Sequence, residues 1–321
     1  MAGTMRPTEV AGATVPADRR VDAERLGRGL ADELAEPDRF ADVLGAGLAA
    51  LADPAYLAEQ RRVAPGLGPT HGVRWPLIEA VKRGFRNATR GERTSSWLFV
   101  VDRLLRRPTL EERWFAFGLL ERLVDDDPER AWQLMRRAAT QAADWITVDS
   151  LAQPLVKGIL NEPYRWAELE LLVYSPSRWE RRLVGSTIAT LPFVDRRRGR
   201  QPEVATHGLG LIAELMGDAE PDVQKALAWA LRSLAVVDRP ATTAFLADET
   251  DRAVATGDGN RAWVIRDVLA KLDPAEAASL RARLGGLRRR TGAPSTSRAA
   301  ATAERFGAVL LGRSMPESPL T

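Results

Sequence analysis

The sequence predicts an all-α protein assembled from short helices, and three observations lead there. Apolar residues recur at spacings of three and four, the period of a helix face. No run of β-branched residues alternates with polar ones, as a half-buried strand requires. Proline punctuates the chain at repeated helix starts, where its fixed φ and missing N–H suit the first turn. In order, Pro128 opens a helix over 128–140, Pro163 over 163–173, Pro176 over 176–191, Pro221 over 221–236 and Pro274 over 274–284. The gaps leave room for short loops or one further helix each. Ahead of these, Pro65 to Arg74, with Gly66, Gly68 and Pro69, reads as the main early loop.

Helices of about a dozen residues paired by their apolar faces have the pattern of HEAT-like repeats, units of about 40 residues stacked into a solenoid. An ordinary helical bundle produces much of the same periodicity. The ends differ from the middle. Residues 1–21 are rich in Pro, Ala and Thr and are expected to be disordered, and 287–321 read as a flexible basic tail with a short helix near Arg298–Leu311. One domain is expected between them, over 22–286.

Composition narrows the function. With 321 residues, 28% of them charged and 45% hydrophobic, the chain can bury a sizeable core and reads as a globular protein. The first twenty residues lack the apolar block of a signal peptide, and Phe306–Leu311 is too short to cross a bilayer, so a cytoplasmic protein without a membrane partner is expected. There is no Cys, and His71 and His207 are the only imidazoles; disulfides and thiolate sites are excluded, and no metal or cofactor is expected. No phosphate-binding loop ends in Lys-Ser or Lys-Thr, and neither a Gly-x-Ser-x-Gly elbow nor a His-Glu-x-x-His helix occurs. Any catalysis falls to Asp, Glu, Arg and aromatic residues.

The formal charge is only +3, but cations cluster. Arg178 to Arg200 holds seven arginines against Glu180 and Asp195, and Arg74, Lys82, Arg83, Arg86 and Arg90 face only Glu79. Two such patches suit one anionic partner, or are simply solvated arginine-rich surface. Helical rotation singles out further residues. On 223–236, Trp229 lies about 130° from the apolar stripe, on the face of Lys225 and Arg232. On 177–191, Arg182 points almost directly away from Leu183, Val184, Ile188 and Leu191. Trp145 and Asp149 are one helical turn apart within Asp144-Trp145-Ile146-Thr147-Val148-Asp149-Ser150. Taken singly, Trp145 falls near its helix's apolar side and reads as core, Asp149 as a surface or capping carboxylate, and Arg182 as solvated. Trp114, Trp166, Trp179 and Trp263 read as packing residues, and Glu180 as a partner for a nearby arginine.

Taken in order, the set Trp145 with Asp149, Trp179-Glu180-Arg181-Arg182, and Gln224-Lys225-Ala226-Leu227-Ala228-Trp229-Ala230-Leu231-Arg232 resembles the DNA alkylation repair family of HEAT-like DNA glycosylases, the AlkD-like proteins. The resemblance runs from about Gly72 to Arg266 and includes Gly72-Val73-Arg74-Trp75-Pro76 and Glu112-Arg113-Trp114-Phe115-Ala116. One departure is Ile146, where family members often carry Asp. The resemblance implies a curved solenoid whose concave face binds DNA. It implies a monomeric, metal-independent glycosylase of base excision repair, releasing cationic purines alkylated at N3 or N7 (3-methyladenine, 7-methylguanine or bulkier adducts) from duplex DNA. Asp149, Trp145 and Trp229 would then be catalytic. Arg182 would hold a phosphate near the lesion, with Arg181, Lys225, Arg232 and Arg74 as further DNA contacts. The alternative is a non-catalytic HEAT-like module that binds DNA or protein through the same face.

Overall fold

The structure is a computed structural model that describes residues 16–310, with side chains from 16 to 305. Its helices are α1 (Ala17–Gly29), α2 (Pro37–Ala50), α3 (Pro54–Val63), α4 (Trp75–Ala88), α5 (Ser95–Leu105), α6 (Leu110–Asp126), α7 (Pro128–Thr140), α8 (Trp145–Asn161), α9 (Arg165–Val173), α10 (Arg178–Val194), α11 (Pro202–Leu215), α12 (Pro221–Val237), α13 (Arg239–Thr256), α14 (Gly259–Val268), α15 (Pro274–Leu284) and α16 (Arg298–Leu310). No strand occurs among the described residues, so the protein is all-α, and its stacked helices fit a helical-repeat solenoid. No single helix there is long and apolar enough to cross a membrane.

Proline marks the helix starts with one systematic offset. The helices at Pro128, Pro221 and Pro274 begin on the proline, whereas α9 and α10 begin two residues after Pro163 and Pro176. Around Pro163 the chain first closes a turn, with the Trp166 N–H on the Pro163 carbonyl. Before α10 the Ser177 N–H bonds back to Ser175 Oγ at 3.0 Å.

The chain forms two compact units, divided after Gly158. In the first, α1, α4 and α6 lie side by side in one layer while α2, α5 and α7 form the other. The first layer is drawn together by glycine: a Cβ on Gly84 of α4 would stand 2.2 Å from the Glu24 carbonyl of α1, and one on Gly27 would stand 2.0 Å from the Val81 carbonyl. Phe40, Phe85 and Phe115, all fully buried, fill the space between layers with ring centroids 5.5–6.0 Å apart. In the second unit α10, α12 and α14 form one layer and α9, α11, α13 and α15 the other. There Gly185 of α10 lets α12 approach until an added Cβ would stand 2.8 Å from that of Ala226.

Both chain ends are more structured than composition suggested. Helix α1 starts at Ala17, inside the segment expected to be disordered, and its backbone at Glu24 and Gly27 packs against α4. After Gly286 the chain does not leave the second unit: Arg289 donates to Gln224 Oε1 at 2.8 Å, and the Thr296 N–H bonds to the Gly217 carbonyl at 3.0 Å. Ala299 of α16 is buried. The rest of the segments expected to be disordered or flexible at the two termini, 1–15 and 311–321, lies outside the described residues.

Candidate functional site

In the first unit the candidate pair opens α8. Asp144 is the N-cap: its carboxylate accepts the Thr147 N–H at 2.8 Å and the Thr147 hydroxyl at 2.7 Å, fixing where the helix begins. Trp145 is therefore the first helical residue and Asp149 stands one turn on, both partly exposed. Trp145 does not sink into the core that its position on the helix wheel favoured. The next residue, Ser150, ties this turn to α6, since the buried Trp114 donates its indole N–H to Ser150 Oγ at 2.8 Å. Ser150 in turn donates to the Ile146 carbonyl at 2.7 Å. Trp114 also meets Trp75 edge-on at 5.4 Å, and the Lys82 ammonium lies 4.7 Å from the Trp75 ring centroid. Trp114 is thus a packing residue, as expected, with a second task that the sequence did not show.

The loop before α4 is held by one carboxylate. Glu111, fully buried, accepts the N–H groups of His71, Gly72 and Val73 at 2.8–3.1 Å and the Thr70 hydroxyl at 2.7 Å. Gly72 is required there, because its φ is +78° and a Cβ would stand 2.6 Å from that of Leu57. Arg74, expected as a DNA contact, instead bonds Asp53 at 2.8 Å and lies 5.0 Å from the Tyr56 ring centroid. That bond is the main reason the Asp53 carboxyl is held below its usual range. Arg74 ties the end of this loop to the start of α3.

In the second unit the arginine expected to point outward does not. Arg182 is 3% exposed and donates to the Asp222 carbonyl at 2.7 Å, at the start of α12. The helix wheel considered a single apolar stripe, but a helix in a stacked layer is also covered on its flank. Arg181 is engaged too: it bonds Asp218, 2% exposed, at 2.7 Å, and the carbonyls of Ser175 and Pro176 at 2.9 and 3.0 Å. Arg232 is paired with Asp267. Trp229 stands partly exposed on α12, away from the buried Ala226, Leu227, Ala230 and Leu231, as its rotation implied. Lys225, one turn before it, is exposed and makes no ion pair among the described residues. Gln224 is buried, donating to the Asp218 carbonyl at 2.6 Å and to Asn260 Oδ1 at 3.2 Å.

The basic stretch of this unit is partly neutralised from within. Asp195 accepts the backbone N–H groups of Arg197 and Arg198 and the Arg198 guanidinium, all at 2.8–2.9 Å. The Arg198 contacts, backbone first, are the main reason its carboxyl is held down to about 2. Arg200 donates to the Pro192 carbonyl, whereas Arg196 and Arg197 have exposed side chains. Glu180 accepts from the Ser175 hydroxyl instead of the arginine partner expected for it. Trp179 carries the Arg178 guanidinium at 4.7 Å, and Trp166 stacks on His207 at 5.2 Å.

With this arrangement established, comparison with known families is decisive. The model of the family described as DNA alkylation repair enzyme matches residues 44–272. The chain belongs to the DNA alkylation repair family. The matched span takes in every candidate residue, from Arg74 through Trp145, Asp149, Arg181 and Arg182 to Lys225, Trp229 and Arg232. It covers most of both units, so this family's domain extends beyond the first. Membership in a DNA alkylation repair family makes DNA the substrate. No curated protein matches the chain. Three residues that sequence reasoning missed, Asp144, Ser150 and Glu111, all hold the site's scaffold. Only Asp144 left a local signal, an Asp with Thr three residues on at a helix start.

Proposed function

We propose that the protein is a DNA glycosylase that hydrolyses the N-glycosidic bond of purines made cationic by alkylation at N3 or N7. The observation that carries the reading is a partly exposed carboxylate, Asp149, one turn from a partly exposed indole, Trp145, at a capped helix start inside the matched family span. An alkylated base leaves with the bonding pair and becomes neutral, so it needs no protonation. What develops is positive charge on the deoxyribose, and a carboxylate stabilises that charge electrostatically. Water then adds to C1′, its proton passing to solvent through Asp149. An indole face, such as that of Trp145 on the first unit or that of Trp229 on the second, suits a cationic nucleotide. No residue in this scheme requires a metal.

The phosphate contacts change from the sequence reading. Lys225, exposed one turn from Trp229, is the cation of the sequence-derived set best placed to hold backbone. Arg181, Arg182, Arg232 and Arg74 hold carboxylates and carbonyls of the protein itself. Arg182 acts as a positioning residue that locks α10 against the helix carrying Trp229.

Incubation with methylated duplex DNA and measurement of free base tests the proposal. Asp149→Asn is expected to keep the helical spectrum and duplex affinity while base release falls by about 100-fold or more. Undiminished release in that variant would sink the role of Asp149. If the wild-type protein releases none of 3-methyladenine, 7-methylguanine or a bulky adduct, a non-catalytic DNA-binding module becomes the better reading.

A further inference from the structure

The first unit carries a second cationic feature that the lesion chemistry does not use. Past the C-terminal end of α4, the turn into α5 and the last turns of α6 enclose a depression of about 270 Å³. Arg83, Arg86, Arg90 and Arg122 line it, against Glu92 as the single carboxylate of the wall. Arg83 is paired with Glu24 at 2.6 Å and Arg122 lies 3.7 Å from Asp126. Arg86 and Arg90 make no ion pair among the described residues, and the one hydrogen bond of Arg90 is to Asn87 Oδ1 at 3.4 Å.

A buried donor marks the same wall. Trp97 lines the depression and is 3% exposed, yet its indole N–H has no hydrogen-bond partner. The nearby helix ends carry about half a unit of charge each, negative at the carbonyl ends of α4 and α6 and positive at the N-terminus of α5, which is less than the charge of the guanidiniums. The guanidiniums therefore decide the sign.

We propose that this depression binds a phosphate group. Four guanidiniums around one depression offer more N–H donors than a single carboxylate can accept, which suits the several oxygens of a phosphate. The site is distinct from the candidate lesion contacts. Trp114 is level with Ser150, and Arg122 is eight residues further along α6, about 12 Å at 1.5 Å per residue. The phosphate comes from a DNA strand or from solution. The strand-borne case rests on the chain's membership in a DNA repair family but needs no glycosylase activity, so undamaged duplex serves as the probe.

The test follows the Trp97 indole N–H by ¹H–¹⁵N NMR, assigned through Trp97→Phe, during titrations with inorganic phosphate, undamaged duplex, and chloride at matched ionic strength. A saturable shift with phosphate, absent with chloride, is expected. Joint replacement Arg86→Ala and Arg90→Ala should raise the phosphate Kd at least about tenfold. A shift with duplex as well assigns the phosphate to a strand, and a shift with phosphate alone assigns it to a free ligand. Trp97→Phe removes a donor that has no partner in the free protein, so it should fold normally and serves to assign the indole signal. An indole unmoved by either probe, or moved equally by chloride, overturns the pocket. Asp149→Asn should show the same shifts as wild type, which separates this result from failure of the glycosylase reading.

Discussion

Trp114 and Ser150 are joined by an indole-to-hydroxyl hydrogen bond of 2.8 Å, and that bond links the buried aromatic cluster of α6 to the turn of α8 that presents Asp149. The carboxylate's neighbour is anchored, so the direction of this turn is set by the packing of α6. Trp114→Phe should retain the ring and lose the donor, lowering stability by about 1 kcal/mol. It is expected to slow base release while leaving affinity for undamaged duplex unchanged. Unaltered release beside a measured loss of stability would show that the bond holds the fold without positioning Asp149.

Arginines that resemble DNA contacts in sequence should separate experimentally from a lysine that is free to make one. Arg181→Ala strands the buried Asp218 carboxylate, which should destabilise the protein by about 3–5 kcal/mol. Lys225→Ala should leave stability unchanged within about 0.5 kcal/mol and reduce the salt dependence of duplex binding by about one unit of slope. Denaturant unfolding and salt-titrated binding of the two variants check both. The reverse pattern would return Arg181 to the DNA interface.

Glu121 gives a pH-dependent expectation. Burial, the largest influence, pushes its carboxyl above the usual range, against the pull of Lys82. The folded state therefore disfavours the charged form: its contribution to stability is most favourable below the unfolded pKa and is lost as pH rises through the folded one. Glu121→Gln should raise Tm at pH 7, and the difference should shrink toward about pH 4, below the ordinary carboxylate value. A Tm difference independent of pH would contradict the buried-charge cause.

The segment after Gly286 should behave as part of the second unit. Removing it deletes the bonds from Arg289 to Gln224 and from Thr296 to Gly217 and Asp258. At about 1 kcal/mol per bond, and about 2–4 °C per kcal/mol for a domain of this size, Tm should fall by at least about 6 °C. An unchanged Tm would make these contacts dispensable.

The sequence by itself determined the helices, because proline starts and apolar spacing act locally: Pro128, Pro221 and Pro274 begin helices where they stand. It also determined the family: the resemblance read from Trp145 with Asp149 and from the Gln224–Arg232 segment agrees with the family model that matches 44–272. Rotation about α12 placed Trp229 correctly, because its apolar stripe is unbroken from Val223 to Leu234. Tertiary structure alone decided which cations are available. A guanidinium's partner is chosen by what the next helix brings beside it, such as Asp218 for Arg181, the Asp222 carbonyl for Arg182, or Asp267 for Arg232. Those partners lie 35 to 40 residues away in the chain. Periodicity within one helix carries no information about its neighbour's side chains. For the same reason the Trp114 to Ser150 bond and the unpartnered Trp97 indole emerge only when the helices are stacked.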